Sequence, residues 1–205
     1  AWGGELRQGV GLFGANRDCR ASALACTAIN KVPSRIEQDP TALLVRGDIN
    51  AEWRPQPAYT IALRAAAQVS KAPLPAFEEM TAGNYSIGRG YDPASITGDS
   101  GVSAALEFRL GALVPRGPTA WAFQPYLFAD AARLSDRDPS QRALNPDSLA
   151  AVGGGVRFAW ARGMQGDVSL AVPLARTDGQ VLAGQRRGDV RLLISLTGRL
   201  LPWGF

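Results

Sequence analysis

The chain predicts an all-β fold, an antiparallel transmembrane β-barrel segment of about eight strands, on three observations. Apolar and polar residues alternate with a period of two through most of the sequence, which puts one set on each face of a strand. The connections between these runs are alternately short and long, as the two ends of an outer-membrane barrel require. One face collects Arg46, Asp48, Glu52, Arg54, Arg64, Glu107, Arg109, Asp130, Arg157, Asp167, Arg191 and Arg199, while the other carries Trp, Phe, Val, Ile and Leu. A packed core does not bury that many charges unpaired, but a wet lumen holds them and hydrocarbon takes the other face.

Taken in order, residues 6–13 read as a first strand interrupted by glycines, and 14–40 as a long loop without periodicity. From Leu44 to Arg54, Val45, Gly47, Ile49, Ala51 and Trp53 alternate with Arg46, Asp48, Asn50 and Glu52. After the turn Pro55-Gln56-Pro57, residues 59–69 return with Tyr59, Ile61, Leu63 and Val69 against Arg64 and Gln68; their alanines also suit a helix. Residues 71–100 form a second long loop. Val102 to Leu110 alternates again and turns around Pro115-Arg116-Gly117-Pro118. The next run sets Trp121, Phe123, Pro125, Leu127 and Ala129 against Gln124, Tyr126, Phe128 and Asp130. A polar loop at 135–147, a strand at 149–160, a tight turn at 162–166, a strand at 167–174, a loop at 176–188 and a last strand ending at Phe205 complete the pattern. Counting back from a periplasmic Phe205, all four long loops fall on the outer side. Trp53, Trp121, Trp160 and Trp203 are placed for interfacial girdles.

Composition excludes several functions. The net charge of +4 and pI near 9.5 suggest nucleic acid, but the charges fall singly at alternate positions and form no basic patch, so no nucleic-acid partner is expected. There is no histidine, which removes serine–histidine triads, histidine-bearing zinc sites and haem–histidine ligation. No run of about 18 apolar residues exists to form a membrane-crossing helix. Neither a cofactor nor a metal is implied. Cys19 and Cys26 are the only cysteines, spaced for a local disulfide in an oxidising compartment, with two free thiols as the alternative. The start at Ala1 lacks a basic and apolar leader, so a mature protein or a fragment is expected.

The stretch from Gly83 to Gly101 is where the frame converges. Its glycines permit positive φ and close backbone approach, Pro93 fixes φ, and Arg89 sits on the folded loop with five donors suited to a carboxylate. Ile87-Gly88-Arg89-Gly90-Tyr91 with Gly98-Asp99-Ser100-Gly101, Tyr126-Leu127-Phe128-Ala129-Asp130, and a last strand ending in aromatic Phe205 resemble the ShlB/FhaC/HecB family. These are outer-membrane transporters of two-partner secretion, related to the BamA-type insertases.

The resemblance implies that residues 1–205 are the C-terminal part of a probable sixteen-stranded barrel in the bacterial outer membrane, with the periplasmic POTRA domains absent from this chain. It also implies that the loop folds back into the lumen, that Arg89 meets Asp130 on the wall as a latch, and that Gly88, Gly90, Tyr91, Asp99 and Gly101 shape the loop. Asp130 shares the parity of Gln124, which independently places it inward; Phe128, Glu107, Arg109 and Arg157 face the lumen with it. Gly88 departs from the family pattern, where an aliphatic residue is common. The implied partners are a secreted exoprotein of haemolysin or adhesin type, the lipid bilayer, and barrel-assembly machinery that reads Phe205 as an insertion signal. Two alternatives stand beside export: a barrel-assembly insertase, or an outer-membrane enzyme using Arg89, Asp92, Asp99 and Ser100, which lacks a histidine base. A fourth reading, a soluble secreted sandwich, would bury the apolar face against another layer.

Overall fold

The computed structural model describes residues 1–12, 19, 33–83, 85–117, 119–138, 147–161, 163–182, 184 and 189–198. Eight strands form one antiparallel sheet in chain order: β1 (Trp2–Gln8), β2 (Leu43–Gln56), β3 (Tyr59–Ser70), β6 (Ser100–Leu110), β7 (Trp121–Ser135), β8 (Asp147–Trp160), β9 (Met164–Pro173) and β10 (Arg191–Gly198). The sheet has two edges, β1 and β10, and does not close on itself. Two short strands, β4 (Met80–Ala82) and β5 (Ile96–Gly98), pair with each other inside the loop between β3 and β6.

Alternation carries through to burial. Along β7 every even residue from Ala122 to Leu134 is buried, and every odd one from Trp121 to Arg133 is exposed. The register aligns parity across the sheet, so Glu107, Phe128 and Gly153 stand in one inward row, and Arg64, Ala105 and Asp130 in another. Outward, Val45, Ile49, Trp53, Val102, Leu106, Phe123, Leu127, Leu170, Ile194 and Leu196 are all exposed. Among the described residues no second layer covers them, so the described sheet is not packed as one half of a sandwich.

At the short-turn end the outward aromatics cluster. Trp121 is paired with Trp160 and stacks on it, 5.6 Å between ring centroids, and Phe158 and Phe123 adjoin it. Tyr59 meets Phe108 at 5.4 Å, further along the same face, where Phe108 pairs with Leu127. Of the four tryptophans expected at such a level, Trp121 and Trp160 stand together here, Trp53 is exposed on the same face of β2, and Trp203 lies outside the described residues.

Five expectations need adjustment. The first strand runs Trp2–Gln8, not 6–13, because Gly9 closes against Pro40, whose carbonyl oxygen would lie 1.9 Å from an added Cβ, and pairing with β2 stops there. Residues 71–100 are not featureless, since they hold β4, β5 and a 3₁₀ turn at Ala76–Glu78. Residues 176–188 include a short helix, Asp178–Leu182. The connection 111–120 is nearly as long as 136–146 on the opposite end, so the length contrast is weakest there. The strand expected through the last residues is described only as Arg191–Gly198; Arg199 and Phe205 lie outside the described residues.

Candidate functional site

The loop between β3 and β6 lies against the inward face of the sheet. Ala82, Tyr91 and Ile96 pack with Ala132, Leu134, Leu149 and Ala151, the inward side chains at the long-loop ends of β7 and β8. At its neck the Ser100 hydroxyl accepts the Ser70 N–H at 2.9 Å and donates to the Ser70 carbonyl at 3.1 Å. Ser100 is thereby committed to backbone. Asp99, fully buried, accepts the amides of Leu74 and Arg137 at 2.7 Å each, tying three segments together.

The loop tip descends to Asp130, five residues inside the end of β7 and so about 16 Å along the strand. Asp130 is fully enclosed and receives four donors. Arg89 gives Nη2 to Oδ1 at 2.7 Å and Nε at 3.2 Å, while the backbone amides of Gly88 and Arg89 reach Oδ2 at 3.1 and 3.0 Å. Two consecutive amides on one carboxylate oxygen fix the tip's backbone as well as its charge. Gly88 makes this possible with φ +80°; an added Cβ would lie 2.9 Å from both the Gly83 nitrogen and Leu149 Cδ1. The departure from an aliphatic residue is thus a requirement of this turn. Gly90 passes Pro173 so closely that a Cβ would sit 2.9 Å from its nitrogen. The Tyr91 hydroxyl lies 2.8 Å from the carbonyls of Ala150 and Ala175 and accepts the Ala175 amide at 3.2 Å, which anchors the tip across β8 and the end of β9.

Arg89 has a second anion. Its Nη1 donates to Glu107 at 2.7 Å, and Glu107 also receives Arg109 Nε at 2.8 Å and Arg157 Nη2 at 3.0 Å. One carboxylate serving three guanidiniums links the loop to β6 and β8. Arg157 continues the network to Asp167 at 3.5 Å, and Arg109 to Glu52 at 2.6 Å. The guanidinium carbon of Arg89 lies over the ring of Phe128, 3.6 Å from its centroid, and that of Arg157 over Tyr126 at 4.2 Å. Phe128 lies back on the wall because Gly153 opposes it; a Cβ there would meet the ring at 2.5 Å and the Leu170 carbonyl at 2.1 Å.

The structure thus brings together Arg89, Asp130, Phe128, Glu107, Arg109 and Arg157, with Gly88, Gly90 and Tyr91 shaping the tip and Asp99 and Gly101 at the neck. Gly101 is where β6 touches β7, its Cβ position 2.5 Å from the Arg133 carbonyl. Cys19 is buried and disulfide-bonded; Cys26 lies outside the described residues. Asp92 is drawn to Arg191 of β10.

A second charged cluster emerges above the neck. Arg35 donates to Glu79 at 2.6 Å, Asp99 at 2.8 Å and Asp136 at 3.3 Å. Those carboxylates present one oxygen each within 4.8 Å of one another, a spacing that suits a cation, and the Arg35 guanidinium supplies it. Burial pushes Glu79 up to about 7, assisted by Asp99 and Asp136, because Arg35 is shared among three acids. Burial likewise raises Asp136. Sequence reasoning missed this cluster, since Arg35 and Asp136 lie in segments without periodicity. It also missed the floor made by Gly153, for which three consecutive glycines within a strand were the available signal.

No individual curated protein matches the chain. The profile of the family described as Haemolysin secretion/activation protein ShlB/FhaC/HecB matches residues 2–158, which takes in β1 to most of β8 and the whole of the Arg89 loop. That family comprises outer-membrane transporters and not enzymes. With a match over well more than half its length, this chain belongs to the ShlB/FhaC/HecB family of haemolysin secretion/activation proteins.

Proposed function

We propose that the chain is the C-terminal part of an outer-membrane β-barrel translocator that exports an unfolded partner exoprotein of haemolysin or adhesin type, and that the infolded loop regulates its passage. Arg89 is the loop's latch, with Asp130 and Glu107 as its two anionic catches. The observation that carries this reading is the placement of a fully paired ionic tip deep on the charged face of a sheet whose other face is bare and apolar. A polar, charge-interspersed wall stays hydrated and gives an extended chain nowhere apolar to adhere. A loop held by charge-assisted hydrogen bonds is firm at rest, yet its guanidinium and carboxylates can be resolvated when a polymer enters the lumen.

The test is export of the exoprotein by the complete protein carrying Arg89→Ala, Asp130→Ala or both. Each single variant is expected to lower the exported fraction, and the double variant to be little worse than either, because both remove one interaction. Full additivity would refute the latch. The outer-membrane content of unrelated barrel proteins is expected to stay unchanged; a fall in it would support insertion of other barrels in place of export.

A further inference from the structure

Charge on the strands is sorted by face with one exception. In β1 to β3 and β6 to β10, every charged side chain shares the inward parity of Asp130 or Glu107 except Arg133, which stands outward on β7. It is exposed, and no described carboxylate pairs with it. Its position is specific: Trp121, in the aromatic cluster, lies twelve residues away along β7, about 40 Å of strand, which a tilt of about 40° reduces to about 30 Å of depth. The lipid-facing apolar band of such barrels is about 25 Å tall, so Arg133 stands at the opposite interface, on the long-loop side.

Directly below Arg133 the outward surface is hollow. Gly47, Ala65, Ala67, Ala104, Ala131 and Ala150 line a shallow depression of about 890 Å³ with an almost wholly apolar surface, and Arg133 and Ser148 form its rim. Its middle row is directly paired across five strands, Ile49, Ala65, Ala104, Ala131 and Ala150. The next outward row toward the aromatic end carries larger side chains at Leu63, Leu106 and Val152. The hollow spans four inter-strand spacings, about 19 Å, wide enough for several acyl chains side by side.

We infer that this face binds one molecule of phosphorylated, multiply acylated outer-leaflet lipid of the lipid A type, with a phosphate on Arg133 and acyl chains in the alanine-lined hollow. The inference rests on the reading of the outward face as the lipid face. An isolated guanidinium at the interface has a forked donor set that matches a phosphate in two parallel hydrogen bonds. A headgroup held there delivers its chains into the concavity beneath, and their breadth favours a multiply acylated lipid over a two-chain phospholipid.

The experiment is native mass spectrometry of the complete protein titrated with diphosphorylated hexa-acylated lipid A, phosphatidylglycerol or phosphatidylethanolamine. Wild type is expected to retain one lipid A in preference to either phospholipid. Arg133→Gln is expected to weaken retention about tenfold, the loss of one bidentate contact, and the filling pair Ala104→Leu with Ala131→Leu to do the same without removing charge. Folding of each variant is checked by heat-resistant mobility on gels. In parallel, quenching of Trp121 by brominated lipid reads whether the outward face meets lipid. If Trp121 is quenched and Arg133→Gln retains lipid A like wild type, the lipid site is wrong and the barrel stands. Equal retention of phosphatidylglycerol, or a dimer lost on filling the hollow, also overturns the site. Absence of quenching overturns the barrel itself.

Discussion

At the scale of single residues, Asp130 decides the site, because it gathers two amides and a guanidinium fork on one carboxylate with no water access. Removing either partner of such an enclosed pair costs about 3–5 kcal/mol, whereas exposed pairs are worth about 0–1. The conservative change is the informative one. Arg89→Lys keeps the charge but loses the fork and the contact over the Phe128 ring, so it is expected to destabilise the loop by about 2 kcal/mol, near the worth of one charged hydrogen bond plus a cation–π contact. Limited proteolysis of the loop in the complete protein measures this, and wild-type resistance in Arg89→Lys would show that charge alone suffices. Gly88→Val is expected to cost about 1–3 kcal/mol, since φ +80° is strained for a β-branched side chain. Parity on β7 made Asp130 legible as inward from sequence, and the loop motif made Arg89 legible. Glu107 was legible as inward-facing but not as a second partner of Arg89, because parity says which face a residue shares and not how far a guanidinium reaches across it.

At the scale of elements, the loop is held at two levels of different character. The tip is an ionic lock around always-charged arginines, and the neck is the Arg35, Glu79, Asp99 and Asp136 cluster, one of whose acids titrates near neutrality. An ordinary glutamate releases its proton near 4.5, and Glu79 in the folded loop holds it to about 7. The folded neck therefore binds more protons than the opened one between these values. Its stability is fully present at the acid end of that window and falls as pH rises through 7, the reverse of the usual salt-bridged carboxylate. Asp136, also raised, acts in the same direction. Protection factors for hydrogen exchange across residues 71–82 in the complete protein, each normalised to the base-catalysed intrinsic rate at its own pH, are expected to be higher at pH 5.5 than at pH 8, and Glu79→Gln to remove most of the difference. Equal protection factors at both values would contradict the assignment. Of this cluster only Asp99 was legible in the sequence, through the loop motif. The strands announce themselves by alternation, but the other members come from aperiodic segments, with Glu79 and Asp99 flanking β4 and β5, which are too short to produce a recognisable period.

At the scale of the whole molecule, the distribution of charge between two faces is what the eight strands have in common, and it can be tested by exchanging the faces' chemistry. Leu127 stands mid-strand on the outward face, 65% exposed, with no other layer over it among the described residues. Arg64 is exposed on the inward face, in the cross-strand row of Ala105 and Asp130. If hydrocarbon covers the first face, Leu127→Arg places a guanidinium near the bilayer midplane and costs about 2–4 kcal/mol, while Arg64→Glu exchanges one hydrated charge for another and costs about 0–1. Were the outward face instead wetted, Leu127→Arg would be nearly neutral, as surface substitutions are. Were it buried against another protein layer, both the charge and any large polar residue there would be equally destructive, so Leu127→Gln supplies the third arm at an intermediate cost. Refolding of the complete protein into lipid vesicles, followed by heat-resistant gel mobility across a urea series, orders the three variants. The expected ranking is Arg64→Glu closest to wild type, then Leu127→Gln, then Leu127→Arg. Moving the same arginine to position 131, one outward step short of Arg133, is expected to cost less than at 127, because the penalty for a charge falls from the midplane toward the interface. A penalty that does not fall with approach to Arg133 would separate the sheet's outward face from a bilayer and leave its bare apolar surface to a different partner.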